Sequence, residues 1–261
     1  MLDALYTAAS GMLGQQTALD TIANNLSNVN TVGFKAGRTA FEDLLYNQLV
    51  PAAGAAQGNE MGLGSAVSAI QVQMDQGNLQ AASGQLDMGV DGTGFFRVQK
   101  PDGTTVYTRA GNFDRDGAGQ LVTTNGNLVL GTDDKPITFP ADANMSTLNV
   151  EANGAISVDS ASKGAKFLVG TISLATFRNP AGLTPLGGNA YGETVNSGAP
   201  VKGAPTSPGL GTLKPGTLEM SNVSAVNEMV GMITTQRAFE AVSKLVQASD
   251  EMLGIADGLR R

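Results

Sequence analysis

From Asp3 to about Asn28, apolar residues recur at Leu5, Ala9, Met12, Leu19, Ala23 and Leu26, with Leu2, Leu13 and Ile22 widening the stripe. The three-and-four spacing is that of a helix with a coiled-coil character, interrupted where Gln16 stands at a position expected to be apolar. The opposite side carries Ser10, Gln15, Thr17, Asn24 and Asn25, polar but uncharged, and between residues 4 and 34 the sole charged side chain is Asp20. A solvated helix face normally carries more charge. The pattern therefore predicts a helix packed on most of its circumference, using side-chain hydrogen bonds where it is not apolar; an ordinary amphipathic helix lying on the rest of the chain is the alternative. The helix is expected to fray near Asn28-Val29-Asn30, with Gly33 in a left-handed backbone conformation.

Residues 46–65 are rich in Gly, Ala and Pro without a period and read as a loop or extended arm. From Ser65 onward the period becomes two, at Val67, Ile70, Val72 and Met74. Further strands are expected at 86–90, 95–99, 104–109, 120–124, 127–131, 147–151, 155–159 and 167–177, separated by the turn signals Pro101-Asp102-Gly103, Asp116-Gly117, Asn125-Gly126 and Asn153-Gly154. Many short strands at such spacing make an antiparallel β domain, a sandwich or a partly open barrel. Residues 179–216 carry Gly and Pro without period and read as long loops.

The strongest helical pattern runs from about Asn222 to Gly258, where Val223, Val226, Met229, Val230, Ile233, Ala238, Val242, Leu245, Val246, Met252 and Leu253 form a broad apolar band. At 1.5 Å per residue such a helix reaches roughly 54 Å, longer than a small domain is wide, and needs a packing partner along its whole length. Residues 1–50 and 216–261 contain no proline, whereas all ten prolines lie between Pro51 and Pro215. The fold class is therefore mainly β with long terminal α-helices: an antiparallel β domain plus N- and C-terminal helices that pair as a coiled-coil-like assembly core. The expected organisation is 1–34 for the first helix and its Asn-rich bend, 35–65 for the arm, 66–216 for the β domain and 217–261 for the last helix. The terminal helices are expected to become stable when neighbouring subunits cover them.

Composition narrows the chemistry. The 261 residues include neither cysteine nor histidine, which excludes a disulfide framework, thiolate chemistry and any Ser-His-Asp or Cys-His site. Charged residues make up 15%, below the usual quarter or so. The net charge is −7 and no basic run occurs, so neither nucleic acid nor an anionic lipid surface is an expected ligand. The opening MLDALYTAASGMLGQQ has no basic segment, and no apolar stretch approaches the roughly 20 residues that span a bilayer. Export by a cleaved secretory signal and direct membrane insertion are not expected.

Several longer motifs carry a resemblance. ANNLSNVNTVGFK (23–35) and SNVSAVNEMVGMITTQRAFEAVSKLVQASDEML (221–253) resemble the two ends of bacterial flagellar basal-body rod and hook proteins, and GTGFFRV (92–98) with YTRAGNFDRDGAGQLVTTNGNLVLG (107–131) resembles their β domain. Within that family, FEDLLY (41–46) and the total length resemble the distal-rod members most; proximal-rod members or a short hook-type paralogue are the alternatives.

The resemblance implies a self-assembling helical homopolymer, a rigid hollow drive shaft, with the terminal helices as its inner core. It also implies a basal-body location spanning the periplasm, flagellum-specific export without a cleaved signal, no cofactor and no catalysis. The implied partners are other copies of the chain, proximal rod proteins, hook or hook–rod junction proteins and the ring proteins that act as a bushing. The arm at 46–65 stands where the family has the loop associated with rod rigidity. The expected assembly-core residues are Leu5, Met12, Leu19, Ile22 and Leu26 with Val226, Val230, Ile233, Leu245 and Met252. At the helix end, Asn24, Asn25, Asn28 and Asn30 are expected to satisfy backbone groups, with Gly33 turning the chain.

Other classes of function fit less well. A carboxylate-only glycoside hydrolase would need two acidic groups facing one cleft, and the sequence does not place any pair. Asp114-Arg115-Asp116-Gly117 suggests calcium, but the acidic final ligand of an EF-hand loop is missing, and a hairpin turn accounts for it. Gly92-Thr93-Gly94 lacks the third glycine of a dinucleotide fingerprint and runs into strand residues. A secreted β-rich binding module would not require the two terminal helices.

Overall fold

The computed structural model describes residues 2–44, 46–50, 59–140, 143–160 and 166–258. It is mainly antiparallel β with one long helix towards each end, and it divides into two units. A helical unit takes the residues up to Ser27, Ala36–Gln73 and Val223 onward; a β unit takes Asn28–Lys35 and Met74–Asn222.

In the helical unit, α1 (Leu2–Ser27) and α2 (Ala225–Gly258) pack along one another. Uncharged polar residues are absorbed into α1 by back-bonding: the hydroxyls of Thr17, Thr21 and Ser27 donate to the carbonyls of Leu13, Thr17 and Ala23 at 2.8–3.0 Å. The chain then forms β1 (Gly37–Asp43), β2 (Tyr46–Val50), β3 (Asn59–Gly62) and β4 (Ser65–Val72). β1 pairs antiparallel with β4, from Gly37 opposite Val72 to Asp43 opposite Ser65, with a bulge at Ala40/Phe41. β2 pairs with β3 in the same sense. The sequence reads 46–65 as a loop or extended arm; its described part is extended and paired as a ribbon, a pairing the sequence did not show because main-chain bonds need no side-chain period, and residues 51–58 lie outside the described residues. The period-two run after Ser65 belongs to that ribbon, not to the β unit. Both β1 and β4 pack on α1, where a Cβ at Gly14 would stand 2.9 Å from the Phe41 ring.

The β unit contains β5 (Leu79–Ala81), β6 (Met88–Asp91), β7 (Phe95–Gln99), β8 (Thr105–Thr108), β9 (Phe113–Arg115), β10 (Leu121–Thr123) and β11 (Leu128–Val129). These are followed by β12 (Ala143–Val150), β13 (Ala155–Ser160), β14 (Lys166–Thr171), β15 (Leu174–Thr176), β16 (Thr184–Gly187), β17 (Ala190–Gly192), β18 (Val201–Gly203), β19 (Thr212–Pro215) and β20 (Thr217–Glu219). The main sheet runs β16-β17-β8-β7-β11-β10-β9, with β15 joining β7 to β18. β12-β13-β14 form a three-stranded sheet, and β6–β19 and β5–β20 are pairs.

Strand β7 is buried on both faces, as a central strand of a covered sheet must be. Phe96 and Val98 face a core with Val106, Leu121, Ile156 and Leu174. On its other face, Phe95 meets Phe177 and Tyr191 edge-on. The expected single strand at 167–177 is two strands in different sheets. It breaks at Ile172-Ser173, whose N–H groups donate to Gly154 and Leu130, so the chain changes sheets there. The expected loops at 179–216 hold the short strands β16–β19, which are too brief to show a period.

Candidate assembly site

The geometry of α2 sorts its residues into two faces. Half-buried Glu228, Met232, Thr235, Val242 and Val246 share one side at three-and-four spacing, and a Cβ on the neighbouring Gly231 would meet Ile22 Cδ1 at 3.5 Å. At about 100° per residue, Val226, Val230 and Ile233 fall on the opposite side. They are exposed, as are Leu245 and Met252; Val226 is 66% and Leu245 63% accessible. The five C-terminal seam residues expected from the sequence are therefore all exposed on α2. Leu5, Met12, Leu19, Ile22 and Leu26 are half-buried on α1. Gln16 lies on the exposed stripe of α1 with Tyr6 and Leu13, so it interrupts no packed seam inside the chain.

Packing inside the helical unit is thin. Among the described residues, the buried apolar side chains of this unit are those of Ala18 and Ala36 alone; the others belong to the β unit. Exposed apolar residues on α2 extend from Val226 to Ile255. Large apolar residues thus stand on the exposed side of α2 as well as on its half-buried side, and an exposed apolar face of this extent is the mark of an interaction surface.

The Asn-rich helix end separates into distinct roles. Asn25 is buried and reads the main chain of Gly37 in both directions: its Nδ2 donates to Gly37 O at 2.8 Å, and its Oδ1 accepts from Gly37 N–H at 2.9 Å. It thereby fixes the first residue of β1 to α1. In the β unit, Asn28 Oδ1 accepts from the Thr31 hydroxyl at 3.1 Å, while Asn24 and Asn30 are exposed. Gly33 has φ +70°, and a Cβ there would lie 2.5 Å from Ala110 N. A side chain would be excluded at this position on both conformational and steric grounds.

A buried ionic cluster follows directly, and the sequence reading missed it. Lys35 Nζ lies 2.5 Å from Glu219 Oε1, and Arg109 lies 3.1 Å from Glu219 Oε2; the side chains of Lys35 and Glu219 are fully enclosed. Two cations thus share one carboxylate. Burial lowers the Lys35 pKa, with Glu219 opposing and Arg109 reinforcing that shift. Burial likewise lowers that of Arg109, opposed by Glu219. Arg109 also donates to Gly92 O at 2.9 Å, and its guanidinium stands 5.2 Å from the Phe95 ring centre. The one available signal was scarcity: Lys35 closes the first quoted motif and Arg109 lies in YTRAGNF, in a chain poor in charge.

Three segments match families of flagellar axial proteins. Residues 5–35 match the family described as "Flagella basal body rod protein", 89–158 the "Flagellar hook protein FlgE/F/G D1 domain" and 214–259 the "Flagellar basal body rod FlgEFG protein C-terminal". Across their full lengths, the chain is 44% identical to a "Flagellar basal-body rod protein FlgG" of Borreliella burgdorferi. The chain belongs to the flagellar basal-body rod protein family. A second rod protein of this family, from Bacillus subtilis, is 41% identical over the full length of both chains. A flagellar hook protein of Treponema pallidum matches half of the chain at 43% identity, over 30% of its own length. The rod-family ends carry α1 and α2, and the hook-type match at 89–158 falls in the β unit.

Proposed function

We propose that this chain is a structural, non-catalytic subunit of the distal rod of the bacterial flagellum, which polymerises with copies of itself into a rigid hollow shaft. The shaft carries torque from the motor to the hook. The observation that supports this most is the helical unit's lack of an apolar core of its own beside an exposed apolar face on α2. Neighbouring copies supply the missing cover, and many simultaneous packed contacts resist twist because packed interfaces compress little. The axial neighbours in this reading are proximal rod proteins at one end and hook or junction proteins at the other, with ring proteins around the shaft. The location is the basal body, reached through flagellar export without a cleaved signal.

Val230→Glu and Leu245→Glu test the reading, because each places a charge on the exposed face without touching the side that meets α1. Purified wild-type chain is expected to form sedimentable filaments visible by electron microscopy. Each variant is expected to remain monomeric with an unchanged circular dichroism spectrum. Filaments formed equally well by both variants would overturn it.

A further inference from the structure

The chain passes between its two units four times, at 27/28, 35/36, 73/74 and 222/223. Three of these crossings start or end within a few residues of the Lys35–Glu219–Arg109 cluster, on the β-unit side. Lys35 Nζ, at the second crossing, donates to Glu219 Oε1 and to the Asp75 carbonyl at 2.6 Å, just after the third. The Asp75 carbonyl also accepts from Asn222 Nδ2 at 3.1 Å, at the fourth. Glu219, itself in the last of these segments, binds the other two with different atoms: Oε1 accepts from Gly77 N–H at 2.9 Å, and its main-chain carbonyl accepts from Gly33 N–H at 2.7 Å. Met220 N–H donates to Asn78 O at 2.9 Å. The approach is close enough that a Cβ at Gly77 would lie 2.0 Å from the Met220 carbonyl oxygen.

We propose that Glu219, Lys35 and Arg109 form a junction lock, which makes three chain crossings leave the β unit as one anchored bundle. Glu219 and Lys35 tie the crossing segments to each other. Arg109, next to β8, ties Glu219 to the sheet, and the single Glu219 carboxylate compensates the two buried positive charges only in part. Enclosure matters here: ionic hydrogen bonds away from water resist exchange with solvent, and removing the shared carboxylate leaves buried positive charge uncompensated. The mechanical consequence rests on the rod reading: a load arriving along one crossing is shared by the other two. The coupling itself does not depend on that reading.

The test is hydrogen exchange of the full-length monomer, read by mass spectrometry, for wild type, Lys35→Met and Glu219→Gln. Lys35→Met leaves Glu219 and Arg109 as a one-to-one pair, so the β unit is expected to stay folded. Exchange in 28–36 and 73–78 should then accelerate together, by about tenfold or more, while β13 and β14 stay as in wild type. Glu219→Gln should add 217–223 to the accelerated set. Acceleration confined to residues beside the substitution, or spread evenly over the whole β unit, would overturn the lock. If Glu219→Gln does not fold, Lys35→Met alone decides. Because the measurement is made on monomers, a chain that fails to form filaments refutes the rod reading without affecting this result.

Discussion

Tyr191 lies in the aromatic group of the β unit, where burial, reinforced by Glu219, pushes its hydroxyl up to about 12 from 10.0. Tyr107, which meets Phe177 edge-on and donates to Glu193 at 3.2 Å, is also raised to about 12, by burial first and then by Glu193. A tyrosine whose folded pKa exceeds its unfolded value contributes stability that is complete below the unfolded pKa and lost as pH rises through the folded one. The window is therefore pH 10 to about 12. Lys35 has the opposite sign: its folded pKa is lowered, so its contribution grows as pH rises through that value. Urea midpoints of wild type should fall across the tyrosine window, and those of Tyr191→Phe should fall less steeply. Equal slopes for the two proteins would refute the assignment.

Among elements, the two helices were the most legible from sequence. The expected bounds, Asp3 to about Asn28 and Asn222 to Gly258, lie within a few residues of Leu2–Ser27 and Ala225–Gly258. The expected strand at 95–99 coincides with β7. Short pairs such as β2–β3 and β16–β17 were not legible, since strands of three to five residues held by main-chain bonds leave little side-chain pattern. The two faces of α2 were hidden for a different reason. A band of apolar residues wider than one helix face satisfies the three-and-four rule on either side, so periodicity alone does not choose which side packs within the chain. The glycines of the helices allow a quantitative check. A Cβ at Gly11 meets nothing within 4 Å, and one at Gly231 meets Ile22 Cδ1 at an ordinary 3.5 Å, whereas one at Gly14 meets Phe41 at 2.9 Å. Gly11→Ala and Gly231→Ala should each stabilise the helical unit by about 0.8–1 kcal/mol through backbone propensity. Gly14→Ala should gain less, because the Phe41 ring has to move. Urea unfolding followed by the helical circular dichroism signal ranks the three, and a Gly14→Ala gain equal to the others would show that the ring is not held there.

Over the whole molecule, burial is unequal: nearly all enclosed apolar side chains among the described residues belong to the β unit. Brief digestion of the monomer with a non-specific protease should therefore leave a fragment close to residues 74–222 and remove both helices, because local opening follows the density of buried apolar contacts. Survival of the helices in the monomer, mapped by mass spectrometry, would mean that the helical unit is already closed within one chain. The ionic cluster marks the limit of reading at this scale. Lys35 and Glu219 are 184 positions apart, and no periodicity connects residues that meet only after the chain has folded.

The outward side of α2 has a kinetic consequence. If, as proposed, that surface is covered by another copy in the rod, the free chain has a ceiling on its own concentration, set by the balance between addition to a growing end and spontaneous nucleation. Below that ceiling a chain persists until it meets an existing end; above it, polymer starts wherever chains meet. Delivery of subunits one at a time to a single tip would keep the supply beneath this threshold, so the same side chains that hold a shaft together would also require the rate of supply to match the rate of growth.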